Sequence, residues 1–148
     1  MMTPHERIKI DCVIQEVSRL RLMAFEQRLK PLHLTRLQWC ILATVFRHDE
    51  QGITQTELAR ELELRRVALG LLIDRLEERG LTARRADGTD RRKNRVLLTR
   101  KGHAVFKETA EIGMKMNSKV MRGISPEQQQ ALISALHEMK ANLLDSVA

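Results

Sequence analysis

A mainly α-helical chain interrupted by one small β-hairpin is what the sequence predicts, on three observations. Apolar residues recur at three- and four-residue spacing through most of the chain. Ser or Thr followed three residues later by Gln or Glu opens several of these segments. After Gly80 the helical period gives way to two short extended runs around Asp87–Gly88, a dipeptide suited to a hairpin turn. The 148 residues make about one domain; 43% are hydrophobic, enough for a core, and 30% are charged.

From Glu6 to Leu29, the residues Ile10, Val13, Val17, Leu20 and Ala24 fall on one helix face, and Pro31 ends the run. Thr35 opens a second helix with Gln38 as its capping partner; Leu37, Ile41 and Val45 form the stripe expected to be buried. The stretch RHDEQG, Arg47 to Gly52, reads as a turn. Thr54 opens a short third helix with Glu57 as partner and Leu58 and Leu62 facing inward. A fourth follows within a few residues, carrying Leu69, Leu72, Ile73 and Leu76 on one side and Gly80 at its C-terminal cap. Two short helices joined so tightly, over 54–79, form a helix-turn-helix unit. The hairpin spans 81–99, and Thr89–Asn94 can lengthen its loop. Thr99 caps a fifth helix running to about Arg122, with Val105, Ile112, Met116 and Val120 as its stripe and Phe106 beside them, and Gly123 stops it. Ser125, Pro126 and Gln128 start the last helix, made amphipathic by Leu132, Leu136, Met139 and Leu143.

Charge is concentrated. Between Arg84 and Lys101 stand eight Lys or Arg and two Asp, a local balance of +6 in a chain whose total is +7. A scattered charge run is ordinarily a solvated face. A dense one directly after a helix pair can reach a phosphate backbone or a minor groove while the second helix enters the major groove. A membrane surface would ask for a helix basic on one side and apolar on the other, and the cluster falls on a hairpin instead. A reader of RNA would favour aromatic platforms, but aromatic residues make up 3% of the chain and Tyr is absent. No apolar run approaches a membrane span, and the N-terminal MMTPHERIKID lacks a signal-peptide core, so a cytoplasmic location is expected, nucleoid-associated only when the chain is bound to DNA. No nucleophile elbow, phosphate loop or metal-ligand spacing is present, so neither an enzyme nor a cofactor is expected. Cys12 and Cys40 lie in apolar-periodic segments and read as packing residues.

The segments ITQTELARELEL, LIDRLEERGLTARR and DRRKNRVLLTRKG resemble the winged helix-turn-helix core of the MarR family of bacterial transcriptional regulators. Arg28–Trp39 and Arg122–Ile133 are similar to its SlyA-like branch, and the resemblance covers nearly all of 1–148 as one domain. It implies a homodimer joined through helices at 6–30 and 125–147, a pseudo-palindromic double-stranded DNA operator with half-sites about 10 bp apart, and a repressor released by a small aromatic or carboxylate-bearing effector. Within it, Arg92 matches the family's wing arginine and Asp90 the acidic residue two before it. Asp74 matches a position able to pair with that arginine and brace the wing, or else to make a surface pair of little worth. Arg91 and Arg95 are expected at phosphates, and Gln55 and Thr56 at the DNA backbone. Where the family's reading helix carries hydroxyl and basic residues, this chain has Val67, Ala68 and Leu71, with Arg65 and Arg66 just before them. Either an arginine reads guanine and the apolar residues meet thymine methyls, or the helix docks by shape while the arginines hold phosphate. Trp39 matches a ligand-pocket position, and Arg19 could face an effector carboxylate; the plainer readings are core for Trp39 and surface for Arg19. Rival functions are an architectural DNA binder of little sequence preference, a protein-interaction module, and a thiol sensor. For the last, Cys12 stands about one helical turn too early and lacks the family's accompanying tyrosines.

Overall fold

Thr35 and Thr54 each close a capping box at a helix start. The computed structural model describes residues 3–48, 50–90 and 92–147. In it each threonine hydroxyl accepts the N–H three residues on, while the side chain of Gln38 or Glu57 accepts the N–H of the cap. Ser125 and Gln128 form the same reciprocal pair. These caps satisfy N–H groups that a helix start leaves without partners.

The elements in order are α1 (Pro4–Leu29), a 3-10 turn (Lys30–Leu32), α2 (Arg36–Arg47), β1 (Ile53–Thr54), α3 (Gln55–Glu61), α4 (Arg66–Glu78), β2 (Thr82–Ala86), β3 (Asn94–Leu98), α5 (Arg100–Val120) and α6 (Pro126–Val147). The helix starts and stops fall within a few residues of those expected. The hairpin is part of a three-stranded antiparallel sheet of order β1-β3-β2, with Ile53 opposite Val96 and Thr82 opposite Leu98. β1 escapes a periodicity reading because two residues carry no pattern. The chain divides into two compact units, one ending at Gly113 and the other beginning at Met114.

In the first unit the core is built by Leu29, Ile41, Leu42, Val45, Leu58, Leu69, Ile73, Leu76 and Val96, all fully buried. Leu37 departs from its expected place: it is exposed, and Leu42 takes the inward position. The stripe of α1 is not covered within the chain. Ile10, Val13, Val17 and Leu20 share a face, yet each is 40–49% exposed. In the second unit Leu132, Leu136 and Leu143 of α6 are likewise exposed.

Two backbone joints lock α4 to its surroundings. Gly80 adopts φ +70, as a helix-terminating residue requires, and Leu81 N–H returns to the Leu76 carbonyl at 2.9 Å. Arg79 donates to the carbonyls of His33 (2.7 Å) and Leu32 (2.8 Å), fastening the end of α4 to the elbow between α1 and α2. Thr99, the expected cap of α5, accepts the Gly102 N–H at 3.0 Å and donates to Gly80 O at 2.5 Å.

Gly102 lies against Leu81, and a Cβ there would sit 2.0 Å from the Leu81 carbonyl oxygen; at Gly113 it would meet nothing within 4 Å. Gly102→Ala should therefore lower unfolding stability by roughly 1–3 kcal/mol or more. Gly113→Ala should be neutral or stabilising by up to about 1 kcal/mol. Urea melts of the two variants check the contrast.

Candidate nucleic-acid interface

The helix-turn-helix is shaped by its own turn. Leu64 N–H returns to Ala59 O at 2.9 Å, and Glu63 between the helices takes φ 52, a left-handed value uncommon for a side chain of its size. The turn brings the start of α4 to the first turn of α3, where Arg66 Nη2 donates to Thr56 Oγ1 at 2.6 Å. Arg65, Arg66, Val67, Ala68 and Leu71 are all exposed, while Leu69, Ile73 and Leu76 on the opposite side are fully buried.

Arg84 of β2 joins this helix to the sheet. Its Nη1 donates to Glu77 Oε2, its Nη2 to Asp74 Oδ1 at 2.6 Å, and its Nε to Gln55 Oε1 at 3.2 Å; its backbone N–H donates to Glu77 Oε1 at 2.9 Å. The Arg84 side chain is 23% exposed, so these pairs are screened less than a surface pair would be. One planar guanidinium thus holds α3, α4 and β2 together. Asp74, which the sequence left either to pair with Arg92 or to make only a surface pair, is met by Arg84, because β2 runs directly after α4 and carries its arginine past the carboxylates. The sequence pattern LIDRLEERGLTARR contained Asp74, Glu77 and Arg84, but spacing across a helix-to-strand joint does not reveal which charges meet.

The loop of the wing is organised by two aspartates. Asp87, only 8% exposed, accepts Thr89 N–H and Oγ1–H, each at 3.1 Å, and faces Arg95 Nε at 3.5 Å. The hydrogen bond from the Thr89 N–H, more than any other contact, holds the Asp87 carboxyl below the usual carboxylate range. Asp90 Oδ1 accepts the Arg92 N–H at 3.0 Å. Arg95, read from sequence as a phosphate contact, is drawn inward: besides Asp87 it donates to Gly52 O at 3.0 Å. The reason is the register, which sets Arg95 opposite Arg85 and beside the turn before β1. Asp87 offsets that like-charge pairing. Arg92 is exposed. Arg91 lies outside the described residues.

A groove of about 320 Å³ is lined by Gln55, Thr56, Arg66, Arg92, Lys93 and Asn94, together with Thr54. It gathers four of the residues expected to meet DNA (Gln55, Thr56, Arg66 and Arg92) between the start of α3 and the wing. The expected effector residues are not gathered. Trp39 packs edge-on against Phe25, 4.9 Å between ring centres, and donates to Thr109 Oγ1 at 3.0 Å. Arg19 lies on a groove of about 470 Å³ lined by α1 residues alone, with Nη1 against Met23 Sδ at 3.3 Å. Neither cysteine is in a disulfide; burial pushes the Cys40 thiol up, away from reactivity, and Cys12 is exposed rather than packed. Among the described residues no cluster of three or more His, Cys, Asp or Glu could hold a metal ion, and no helix is long and apolar enough to cross a membrane.

Residues 33–93 match the model of the MarR family. Among solved structures, the transcriptional regulator PA3341 is 29% identical, with 92% of this chain and 98% of that one covered at a TM-score of 0.75. The transcriptional regulator SlyA is 26% identical, with 93% and 95% covered at 0.73. The S. aureus MepR–DNA complex is 21% identical and matches in fold, with 96% and 99% covered at 0.75.

Arg84→Ala should leave Asp74 and Glu77 without their shared cation and lower unfolding stability by about 1.5–3 kcal/mol. Arg84→Lys should restore only part, since an ammonium cannot make a planar fork; chemical denaturation reads both. The Asp87 carboxyl binds its proton less tightly folded than unfolded. It therefore stabilises the fold at neutral pH, and that contribution is lost as the pH falls below about 3.9 and through the depressed folded value. Asp87→Asn should flatten the fall of the urea midpoint over that acid window.

Proposed function

Because the chain belongs to the MarR family of winged-helix transcriptional regulators, we propose that it binds double-stranded DNA as a homodimer. In this reading α4 enters the major groove and the wing meets the backbone or minor groove. One observation carries it above the others: a single basic groove collects Gln55, Thr56, Arg66 and Arg92 from elements distant in sequence. The S. aureus MepR–DNA complex, a protein of the same fold, makes duplex DNA the natural occupant.

The dimer reading rests on apolar surface. The face of α1 formed by Ile10, Val13, Val17 and Leu20 and the apolar residues of α6, Leu132, Ile133, Leu136, Leu143 and Leu144, are left exposed in the single chain. Exposed apolar surface on that scale marks an interaction site, and terminal helices of a two-fold regulator supply one. A two-fold protein reads a pseudo-palindromic operator with half-sites about 10 bp apart. Repression relieved by a small aromatic or anionic effector is the regulatory form of this reading, acting on the cytoplasmic nucleoid. The α1 groove supports it by offering the Arg19 cation beside Ile14, Leu22 and Met23.

Arg92→Ala should weaken binding to a selected duplex by about tenfold or more and reduce the slope of log affinity against log salt by about 1, without changing the unfolding midpoint. Fluorescence anisotropy across a salt series measures it; failure of the wild type to bind any duplex at low salt overturns the regulator reading. Equal affinity for selected and random duplexes would identify an architectural binder instead. Sedimentation should give a dimer for the wild type and a shift toward monomer for Val17→Asp and Leu136→Asp.

A further inference from the structure

We propose that the outward face of α4 reads the C5-methyl groups of thymine, so that this protein selects its site largely through apolar contacts. The inference rests on the DNA-binding reading and gives it a specificity.

The inner side of α4 is complete, with Leu69, Ile73 and Leu76 fully buried. On the other side Val67 is 79% and Leu71 59% exposed, and Val67 is the most exposed large hydrophobic residue among those described. Val67, Gly70 and Leu71 stand at i, i+3 and i+4, so they form one continuous strip. A solvent-facing helix surface ordinarily carries Lys, Glu or Gln, which favour the helix and keep it soluble. Here the strip contains a β-branched residue and a glycine, both poorer helix formers. Gly70 has no packing reason within the chain, since a Cβ on it would meet nothing within 4 Å. Sequence positions that sacrifice both polarity and helix propensity, on a face that nothing within the chain packs, are accounted for by an external surface that comes close to the helix backbone.

The charge around the strip says what that surface is. Arg65 and Arg66 stand at its N-terminal end, and Arg92 and Lys93 line the groove that Arg66 shares with the wing. Of the carboxylates in line with it on α4, Asp74 is engaged by Arg84, and Glu78 stands at the far C-terminal end of the helix, two turns beyond Leu71. The partner is therefore polyanionic at its rim and apolar within. The major groove of duplex DNA has that form only where thymine presents its methyl group, the single apolar group on its floor. An acidic-rimmed protein is the competing occupant, and the experiment separates the two.

A duplex is first selected by the wild-type protein from a random pool, then resynthesised with uracil in place of each thymine in turn. Uracil keeps every hydrogen-bonding group and removes one methyl. At contacted positions affinity should fall about fourfold, the loss expected from exposing one methyl, ~0.8 kcal/mol. Leu71→Ala or Val67→Ala should erase the difference between thymine and uracil at one position each, a coupling that general weakening would not produce. Gly70→Ala should raise the Tm by roughly 2 °C or more through helix propensity while lowering affinity for the selected duplex severalfold. Those opposite signs cannot arise from misfolding. Equal affinity for thymine and uracil duplexes at every position, in a protein that does select a duplex, overturns the methyl reading and leaves the regulator reading standing. No selected duplex at all, or capture of the strip by an acidic protein with no duplex bound, overturns both.

Discussion

The guanidinium of Arg84 sits between two carboxylates of α4 and the amide of Gln55 at the start of α3. A reading head needs its helix and its wing at a fixed separation, because both must meet one rigid duplex. A hydrophobic seam alone would let β2 slide along α4. Charge-assisted hydrogen bonds in a planar fork have direction, and direction is what the joint lacks otherwise. The same contact pairs the half-exposed Asp74 carboxylate with a cation.

A second constraint is repulsion within the wing. Register places Arg85 opposite Arg95 on one face of the hairpin, a like-charge pair that costs stability. Asp87 relieves it from the base of the loop, and the Gly52 carbonyl takes another of the Arg95 donors. A wing can carry dense positive charge at its tip only because part of that charge is neutralised at its root. The nearby Asp90 then shapes the backbone beneath Arg92.

The C-terminal end of α4 is also tied down. Arg79 grips carbonyls at the elbow between α1 and α2, where His33 adopts φ 52. This makes the elbow a mechanical neighbour of the reading helix within the first unit.

Sequence alone determined the helices, their capping pairs, the helix-turn-helix and the basic hairpin, because each is written in local spacing: Thr35 with Gln38, Thr54 with Glu57, Gly80 after a leucine stripe. It also marked Val67, Ala68 and Leu71 as an apolar stretch on the fourth helix, and the structure leaves all three exposed. Tertiary structure alone decided which charges meet. Asp74 and Arg92 were plausible partners on paper, but the path of β2 delivers Arg84 to Asp74 and draws Arg95 inward to Asp87 and Gly52. It likewise separated Trp39, held by Phe25 and Thr109, from Arg19. The two-residue β1 was hidden for a related reason. Periodicity records that a residue wants to be covered, whereas what covers it is settled by pairings between segments that spacing along one chain cannot encode.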